Sequence, residues 1–390
     1  MLRLRLFVAL LIAISLLVGC APKATPTPVS TLVPTLAPTL APTAAPTVPA
    51  LATTKMTYEQ ALQLVRTKFP ANRYMTNEFL PKEPVTGPTI SGYTQVRKIK
   101  VGMPWIMNDE EAPFYNALAL GYYIEEGLEV ELVPGGAGID HLKTLGGKVV
   151  DFAVVASGGG IPRAVVSITP NDVVAIGTLL KGWPYSFFTI KPELQDRKLT
   201  PSDLEGRTVA VQSPTAGGDL YLLIMLDRYG IPRNKVSVIS AGSDLSVLFA
   251  NKADFYSAWV NNQPRQAEEN GYKWNAIRYR EWINDQYADV LVARRETLQS
   301  SEGQDMTRRF LRATYRGLRY LLEHPEESAD ISVKYVTGVG GKLTKEQALW
   351  RFKTQADLIT GSGGLMSMDP LTWDQLVSTF VQYETLQLPK

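Results

Sequence analysis

Beyond residue 96 the apolar positions of the chain follow two rhythms. Short runs have a period of two or none, and longer segments have apolar residues at every third or fourth place. The first rhythm marks strands and the second marks helices, because side chains alternate across a pleated strand but return to one helix face after about 3.6 residues. Lys98 to Trp105 reads as a strand, Ala112 to Glu126 as a helix, and Leu128 to Val133 as a strand closed by Pro134-Gly135-Gly136. A short helix over Ile139 to Leu145, a buried strand over Asp151 to Ala156, a helix over Gly160 to Ser167 and a strand over Val173 to Leu180 complete a first set. The rhythm then restarts with a strand over Thr208 to Gln212 and a helix over Gly218 to Tyr229. Val236 to Ser240, Leu245 to Phe249 and Phe255 to Val260 follow as strand, helix and strand, and Met306 to Leu322 and Lys345 to Ile359 as helices. Strands separated by helix-length segments predict a parallel sheet with right-handed crossovers. Two such units in series predict two α/β lobes, lobe one over 97–186 and 279–390 and lobe two over 187–278. The chain is expected to cross near Phe187 and return near Arg278. Two crossings make a hinge, and the cleft between the lobes is the expected ligand site.

The first 55 residues follow neither rhythm. Arg3 and Arg5 precede an almost unbroken apolar run from Leu6 to Leu17. A signal peptide needs roughly 7–15 apolar residues and a spanning helix about 20, so 1–19 reads as a signal peptide. It ends in Leu17-Val18-Gly19-Cys20, which resembles a lipobox. Cleavage there would leave Cys20 to carry a diacylglyceryl group, placing the protein on the outer side of the cell membrane. From Cys20 to residue 55 the chain is dominated by Thr, Pro, Ala, Leu and Val, with Pro34, Pro38, Pro42 and Pro46 at every fourth place. Proline fixes φ and lacks an amide hydrogen, so this stretch predicts a semi-extended tether. Met56 to Phe69 opens a helical extension that runs to residue 96.

Composition removes several chemistries. Cys20 is the only cysteine and there are two histidines, His141 and His324, which read as surface or packing residues. The mature chain therefore has no disulfide and little with which to build a zinc site or a Ser-His-Asp triad. No cofactor, metal or catalytic residue is expected. Forty basic and 38 acidic residues leave a formal net charge of +2, which gives no sign of a nucleic-acid partner.

Three segments carry a resemblance. The run from Val101 through Met103-Pro104-Trp105-Ile106-Met107-Asn108-Asp109-Glu110-Glu111-Ala112-Pro113-Phe114 to Tyr115 resembles the opening of the family that joins periplasmic nitrate, sulfonate and taurine binding proteins to the thiamine-pyrimidine synthases. Gly121 to Glu131 with Pro134-Gly135-Gly136, and Asp203-Leu204-Glu205-Gly206-Arg207-Thr208-Val209-Ala210-Val211, resemble later blocks of that NMT1/SsuA-like family. The resemblance covers roughly residues 97 to 290. It implies a type II periplasmic-binding fold and an extracytoplasmic binding protein that hands a small molecule to an ABC permease. Enzymatic members have a histidine where this chain has Glu111, and a cysteine-rich motif that it lacks, so binding without turnover is expected.

Within that fold, loops beyond the carboxyl ends of strands line the cleft. This places Trp105, Asn108, Glu111 and Tyr115 on one side, with Ser157, and Thr215 and Asp219 on the other. Asp109, Glu110 and Glu111 are either helix caps or cleft carboxylates. In the cleft they would disfavour an anion and suit a neutral ligand rich in hydrogen-bonding groups. Trp183, Tyr185, Trp259 and Tyr287 fall at strand ends or near the crossings, where aromatic faces can hold a planar ring. Asn261 is placed to read its edge. A planar, uncharged heterocycle is therefore the expected ligand. The resemblance extends to riboflavin-binding lipoproteins of this branch, which implies riboflavin, with the thiamine precursor formylaminopyrimidine as the alternative. The expected partners are that ligand, the permease and, through the lipid anchor alone, the membrane; the body is expected to be monomeric.

Overall fold

The computed structural model describes residues 56–68, 70–85, 96–136, 139–157, 161–162, 172–212, 220–242, 244–283 and 286–383. The segments expected to be a signal peptide and a tether, and Cys20 between them, lie outside these residues. The strands form two five-stranded sheets. Sheet one contains β1 (Arg97–Gly102), β2 (Leu128–Val133), β3 (Phe152–Ser157), β4 (Val173–Leu180) and β10 (Ala288–Arg294), in the order β2-β1-β3-β10-β4. Sheet two contains β5 (Tyr185–Thr189), β6 (Thr208–Val211), β7 (Ser237–Ser240), β8 (Phe255–Trp259) and β9 (Asn275–Arg278), in the order β7-β6-β8-β5-β9.

Both sheets are mixed, not parallel as expected. β1 runs parallel to β2 and β3, and β6 parallel to β7 and β8. β10 is antiparallel to β3 and β4, and β5 is antiparallel to β8 and β9. The cause is the hinge. β5 and β10 are the strands that follow the two crossings, so each starts where its neighbours end and must run the other way. Tyr185 pairs with Trp259, and Ala288 with Ser157 and Leu180, all last residues of their strands. We call this shared end of each sheet its cleft end. The first crossing is the short span between Leu180 and Tyr185, so Phe187, expected to mark it, lies inside β5 and is fully buried. The second follows Arg278, the last residue of β9.

The helices are α1 (Tyr58–Lys68), α2 (Ala112–Ala119), α3 (Tyr122–Glu125) and α4 (His141–Gly146) before the first crossing, and α5 (Leu220–Arg228), α6 (Ser246–Phe249) and α7 (Pro264–Glu269) within lobe two. After it come α8 (Tyr279–Trp282), α9 (Arg295–Gln299), α10 (Ser301–Glu323), α11 (Pro325–Gly338), α12 (Lys345–Ile359) and α13 (Pro370–Gln382). The single helix expected over Ala112 to Glu126 is broken at Gly121, whose φ of 75° favours a residue without Cβ. The helix expected over Gly160 to Ser167 lies, but for 161–162, outside the described residues.

Sheet one is covered on both faces, which is why all eight residues of β4 are buried and all but Thr178, whose hydroxyl donates to the Ala288 carbonyl at 2.8 Å, are apolar or glycine. Along β10 the side chains alternate, with Leu291 and Ala293 in one core and Val290 and Val292 in the other. On the first face Phe310 of α10 stacks on Phe152 at 4.4 Å between centroids. Helix α10 lies unusually close to α2. A Cβ on Gly317 would sit 2.0 Å from the Pro113 carbonyl oxygen, so only glycine fits that contact. Asn116, fully buried on α2, donates to the Gly317 carbonyl at 3.1 Å and to Ser328 Oγ at 3.0 Å, which pins the approach. No helix among the described residues is long and apolar enough to cross a membrane.

Candidate functional site

The loop that leaves β1 is shaped by Asn108. Its Oδ1 accepts from the Glu110 amide at 2.8 Å, its Nδ2 donates to the Ile106 carbonyl at 2.9 Å, and its own amide donates to Glu111 Oε2 at 2.9 Å. This capping box starts the short 3-10 turn Asp109–Glu111 that leads into α2. It also turns Trp105 and Ile106 outward, leaving them 49% and 58% exposed, which is costly for apolar side chains unless something covers them. At the end of β3, Ser157 donates to Gln286 at 2.6 Å, joining this cleft end to the second crossing.

Behind the loop the acids are buried, not displayed. Asp109, Glu111 and Asp289 are each at most 2% exposed, and Arg351 of α12 is 5% exposed. Arg351 Nε donates to Asp109 at 2.7 Å, and its terminal nitrogen lies 4.0 Å from Glu110. Asp289 lies close enough to Glu110 and Glu111 for each to raise its affinity for a proton, and Glu110 Oε1 and Asp289 Oδ1 are buried without a hydrogen-bond partner among the described residues. Four carboxyl groups facing one guanidinium cannot all ionise at low dielectric. Burial, reinforced by Glu110, pushes Glu111 well above the usual carboxylate range, and burial with Glu110 and Glu111 does the same to Asp289. Glu110 is also raised by burial, with Arg351 opposing. Burial opposes the charge on Arg351, but Asp109 and Glu110 more than restore it. The carboxylates expected as possible cleft groups are thus compensated from α12. Tyr115 is fully buried as well, stacked on Tyr335 of α11 at 5.1 Å and raised by burial and by the neighbouring Glu111.

The cleft end of lobe two is aromatic. Trp183, from the first crossing, stacks on Tyr185 at 4.8 Å and 11°. Tyr221 of α5 leans on Trp183 at 4.0 Å, and Tyr279, which opens the second crossing, meets it edge-on at 5.3 Å. Both crossings therefore converge on one indole, whose Nε1 is buried and has no hydrogen-bond partner among the described residues. Trp259 is partly buried beside Tyr185 in the sheet. Asn261 is fully buried and donates to Gln355 of α12 at 3.0 Å, while its Oδ1 has no partner among the described residues.

Of the residues singled out from the sequence, Trp105 and Asn108 follow the end of β1 and Ser157 ends β3, at the cleft end of lobe one, while Trp183, Tyr185, Trp259 and Asn261 lie at that of lobe two. Glu111 and Tyr115 lie behind the lobe-one loop. Tyr287 lies in the other core, 5.9 Å from Trp373, with its hydroxyl accepting from the Asp369 amide at 2.6 Å. Thr215, Asp219 and Cys20 fall outside the described residues. Sequence reasoning missed Arg351, Gln355, Asp289, Tyr221 and Tyr279. One signal was available, since Arg351 and Gln355 interrupt the buried stripe Ala348, Phe352, Leu358 of a helix whose limits were otherwise clear. Among the described residues no group of three or more His, Cys, Asp or Glu side chains is arranged to hold a metal ion.

Residues 108–328 match the family model described as "NMT1/THI5 like", more than half of the chain. The chain belongs to the NMT1/THI5-like family. Two curated relatives extend the likeness beyond that segment. The riboflavin-binding protein RibY of Chloroflexus aurantiacus is 24% identical over 254 residues, covering 65% of this chain and 70% of the relative. The formylaminopyrimidine-binding protein of Halalkalibacterium halodurans is 19% identical over 305 residues, 77% of this chain and 90% of the relative. Among solved structures, the ligand-binding component of an ABC-type import system from Staphylococcus aureus superposes with a TM-score of 0.51 at 14% identity, covering 75% of this chain and 94% of that one. The periplasmic aliphatic sulphonate binding protein SsuA from Escherichia coli gives 0.50 at 15% identity, over 66% and 84%. This NMT1/THI5-like chain therefore has the two-lobed periplasmic-binding-protein fold of ABC substrate-binding proteins.

Proposed function

We propose that this chain is the substrate-binding component of an ABC importer and that it captures riboflavin outside the membrane. The aromatic end of lobe two is the observation that carries this reading. A stacked Trp183–Tyr185 pair, only 4% and 8% exposed and packed on Tyr221 and the buried Tyr279, forms an aromatic floor, and the partly buried Trp259 beside it is suited to a flat ring system without net charge. Trp105, exposed on the opposing loop, is the natural second face. Asn108, Ser157 and Asn261 supply hydrogen bonds to ring edges and hydroxyls, with Thr215 and Asp219 assigned to the same role. Glu111, Tyr115 and Tyr287 act from behind by fixing the loops. The riboflavin-binding relative supports the vitamin. In this reading 97–186 with 279–390 forms one lobe and 187–278 the other. The monomeric body hangs by the 20–55 tether from a lipid on Cys20, after loss of residues 1–19.

Closure is the working step. Ligand settles on one lobe, the crossings flex, and the second lobe covers the exposed Trp105 and Ile106. Burial of their apolar surface contributes at about 25 cal/mol per Å² and shifts the population toward the closed form that the permease reads. No bond is made or broken.

Titrating riboflavin into the purified chain while following flavin fluorescence tests the proposal. Saturable quenching at micromolar concentration or below is expected, weakened about tenfold in Trp105→Ala or Trp259→Ala. An unchanged flavin signal would sink riboflavin. The second reading, favoured by the relative that matches over 90% of its own length, is a formylaminopyrimidine carrier. A rise in melting temperature with that pyrimidine alone would establish it.

A further inference from the structure

A cavity of about 540 Å³ that shares no lining residue with the aromatic nest opens between the outer edge of lobe two and helix α12. Its walls come from both lobes. Val260, Glu268, Trp274 and Arg278 belong to lobe two, and Trp350 and Lys353 to α12, which packs on lobe one through β4 and the 3-10 turn at Asp109–Glu111. Both indoles are held by one carboxylate: Trp274 Nε1 donates to Glu268 Oε1 at 2.6 Å and Trp350 Nε1 to Oε2 at 2.7 Å. With both N–H groups committed, the tryptophans present only ring surface to the cavity. Asp357 is occupied by Arg278, at 3.0 and 3.2 Å, and lies 3.5 Å from Arg280. Lys353 has no ion pair or hydrogen bond among the described residues, and Arg278 Nε is buried without an acceptor.

We propose that this chamber is a second binding site, for a small planar aromatic anion. Ring walls without free donors favour a flat π-system, and its size falls within the roughly 300–1,000 Å³ of ordinary ligand pockets. The polarity follows from what is left unmatched. The indoles occupy both oxygens of Glu268 without cancelling its charge, but Arg278, Arg280 and Lys353 outnumber Glu268 and Asp357, and the groups left free to meet a ligand are the ammonium of Lys353 and the Nε–H of Arg278. Since the walls belong to different lobes, a molecule held here favours the arrangement of the lobes in which Trp105 and Ile106 are exposed, and it is thereby coupled to closure over the cleft.

The test is calorimetric titration of naphthalene-2-sulfonate into the full chain, with 2-naphthylmethylammonium and 2-naphthalenemethanol as the cationic and neutral counterparts. Saturable binding of the sulfonate is expected, about tenfold weaker in Trp350→Ala and several-fold weaker in the surface variant Lys353→Gln, and unchanged in Trp105→Ala. Trp350→Phe, which keeps a ring in place, should fall between the parent and the alanine variant, and so separates a lost wall from a misfolded helix. Absence of saturable binding, indifference to both Trp350→Ala and Lys353→Gln, or loss in Trp105→Ala would each overturn the site. Equal or tighter binding of the ammonium would overturn its preference for anions.

Discussion

The two cleft ends are built on opposite principles. Lobe one sets its loop with a buried ionic cluster, Asp109, Glu110, Glu111 and Asp289 around Arg351. Lobe two sets its surface with rings, Trp183 against Tyr185, Tyr221 and Tyr279. A charge cluster holds geometry stiffly because each member is costly to leave unmatched. An aromatic nest gains from contact area and loses little when one ring tilts. The contrast suits a binding protein in which one wall is fixed and the other adapts to the ligand.

The largest expected effect breaks the stiff side. Arg351→Met leaves the carboxyl groups without a cation, and urea denaturation should show a loss of about 3–5 kcal/mol. An unchanged midpoint would mean that the cluster is not what holds the loop. On the adaptable side Tyr185→Leu keeps most of the apolar volume and removes the stack, so about 1 kcal/mol is expected in the same assay. A larger loss there than at Arg351 would reverse the comparison.

Titration sharpens it further. Glu111 and Asp289 have raised affinities for their protons when folded, so over the span above the ordinary carboxylate pKa of about 4 the native state binds more protons than the unfolded chain. Stability is fully present below that value and falls as pH rises through the raised one. Urea midpoints should therefore drop as pH rises above the ordinary carboxylate range, and drop less in Asp289→Asn. Asparagine tolerates the φ of 49° found at that position, so the variant should fold. A parallel pH slope in the two proteins would remove Asp289 from the account. The smallest effect is expected for Gln355→Ala, which deletes the bond from Asn261 to α12. A change of about 0.5 kcal/mol, the low end for a single hydrogen bond, is expected. It should weaken ligand binding in the fluorescence titration more than it lowers stability, because the bond joins the two lobes.

Much of the fold was legible because its elements are local. β4 and α12 begin and end at the residues their periodicity marks, since one is apolar on both faces and the other carries a Thr344–Gln347 capping box. The loop from Trp105 to Glu111 was legible for the same reason, being a strand end that opens a helix. What could not be read depends on where the chain goes after leaving a lobe. The antiparallel direction of β5 and β10 follows from the crossings and leaves no mark in their own residues. Asp109 meets Arg351 across 242 positions of sequence. The acidic run 109–111 was visible, but its burial was not, because an acid that caps a helix and one that faces a ligand look alike until the compensating cation is located.

Gly317 shows how far such a site can reach. Its missing methyl lets α10 rest on the first turn of α2, the helix that continues directly from the acidic turn behind Trp105. Any side chain there would push α2 outward and carry the binding loop with it. If the cleft binds its ligand as proposed, a screen of random variants for altered ligand preference should return changes at this inconspicuous helical glycine beside those at the tryptophans, although Gly317 is buried against α2. Under the proposed function, ligand selectivity would be heritable through a packing contact as well as through the residues of the cleft.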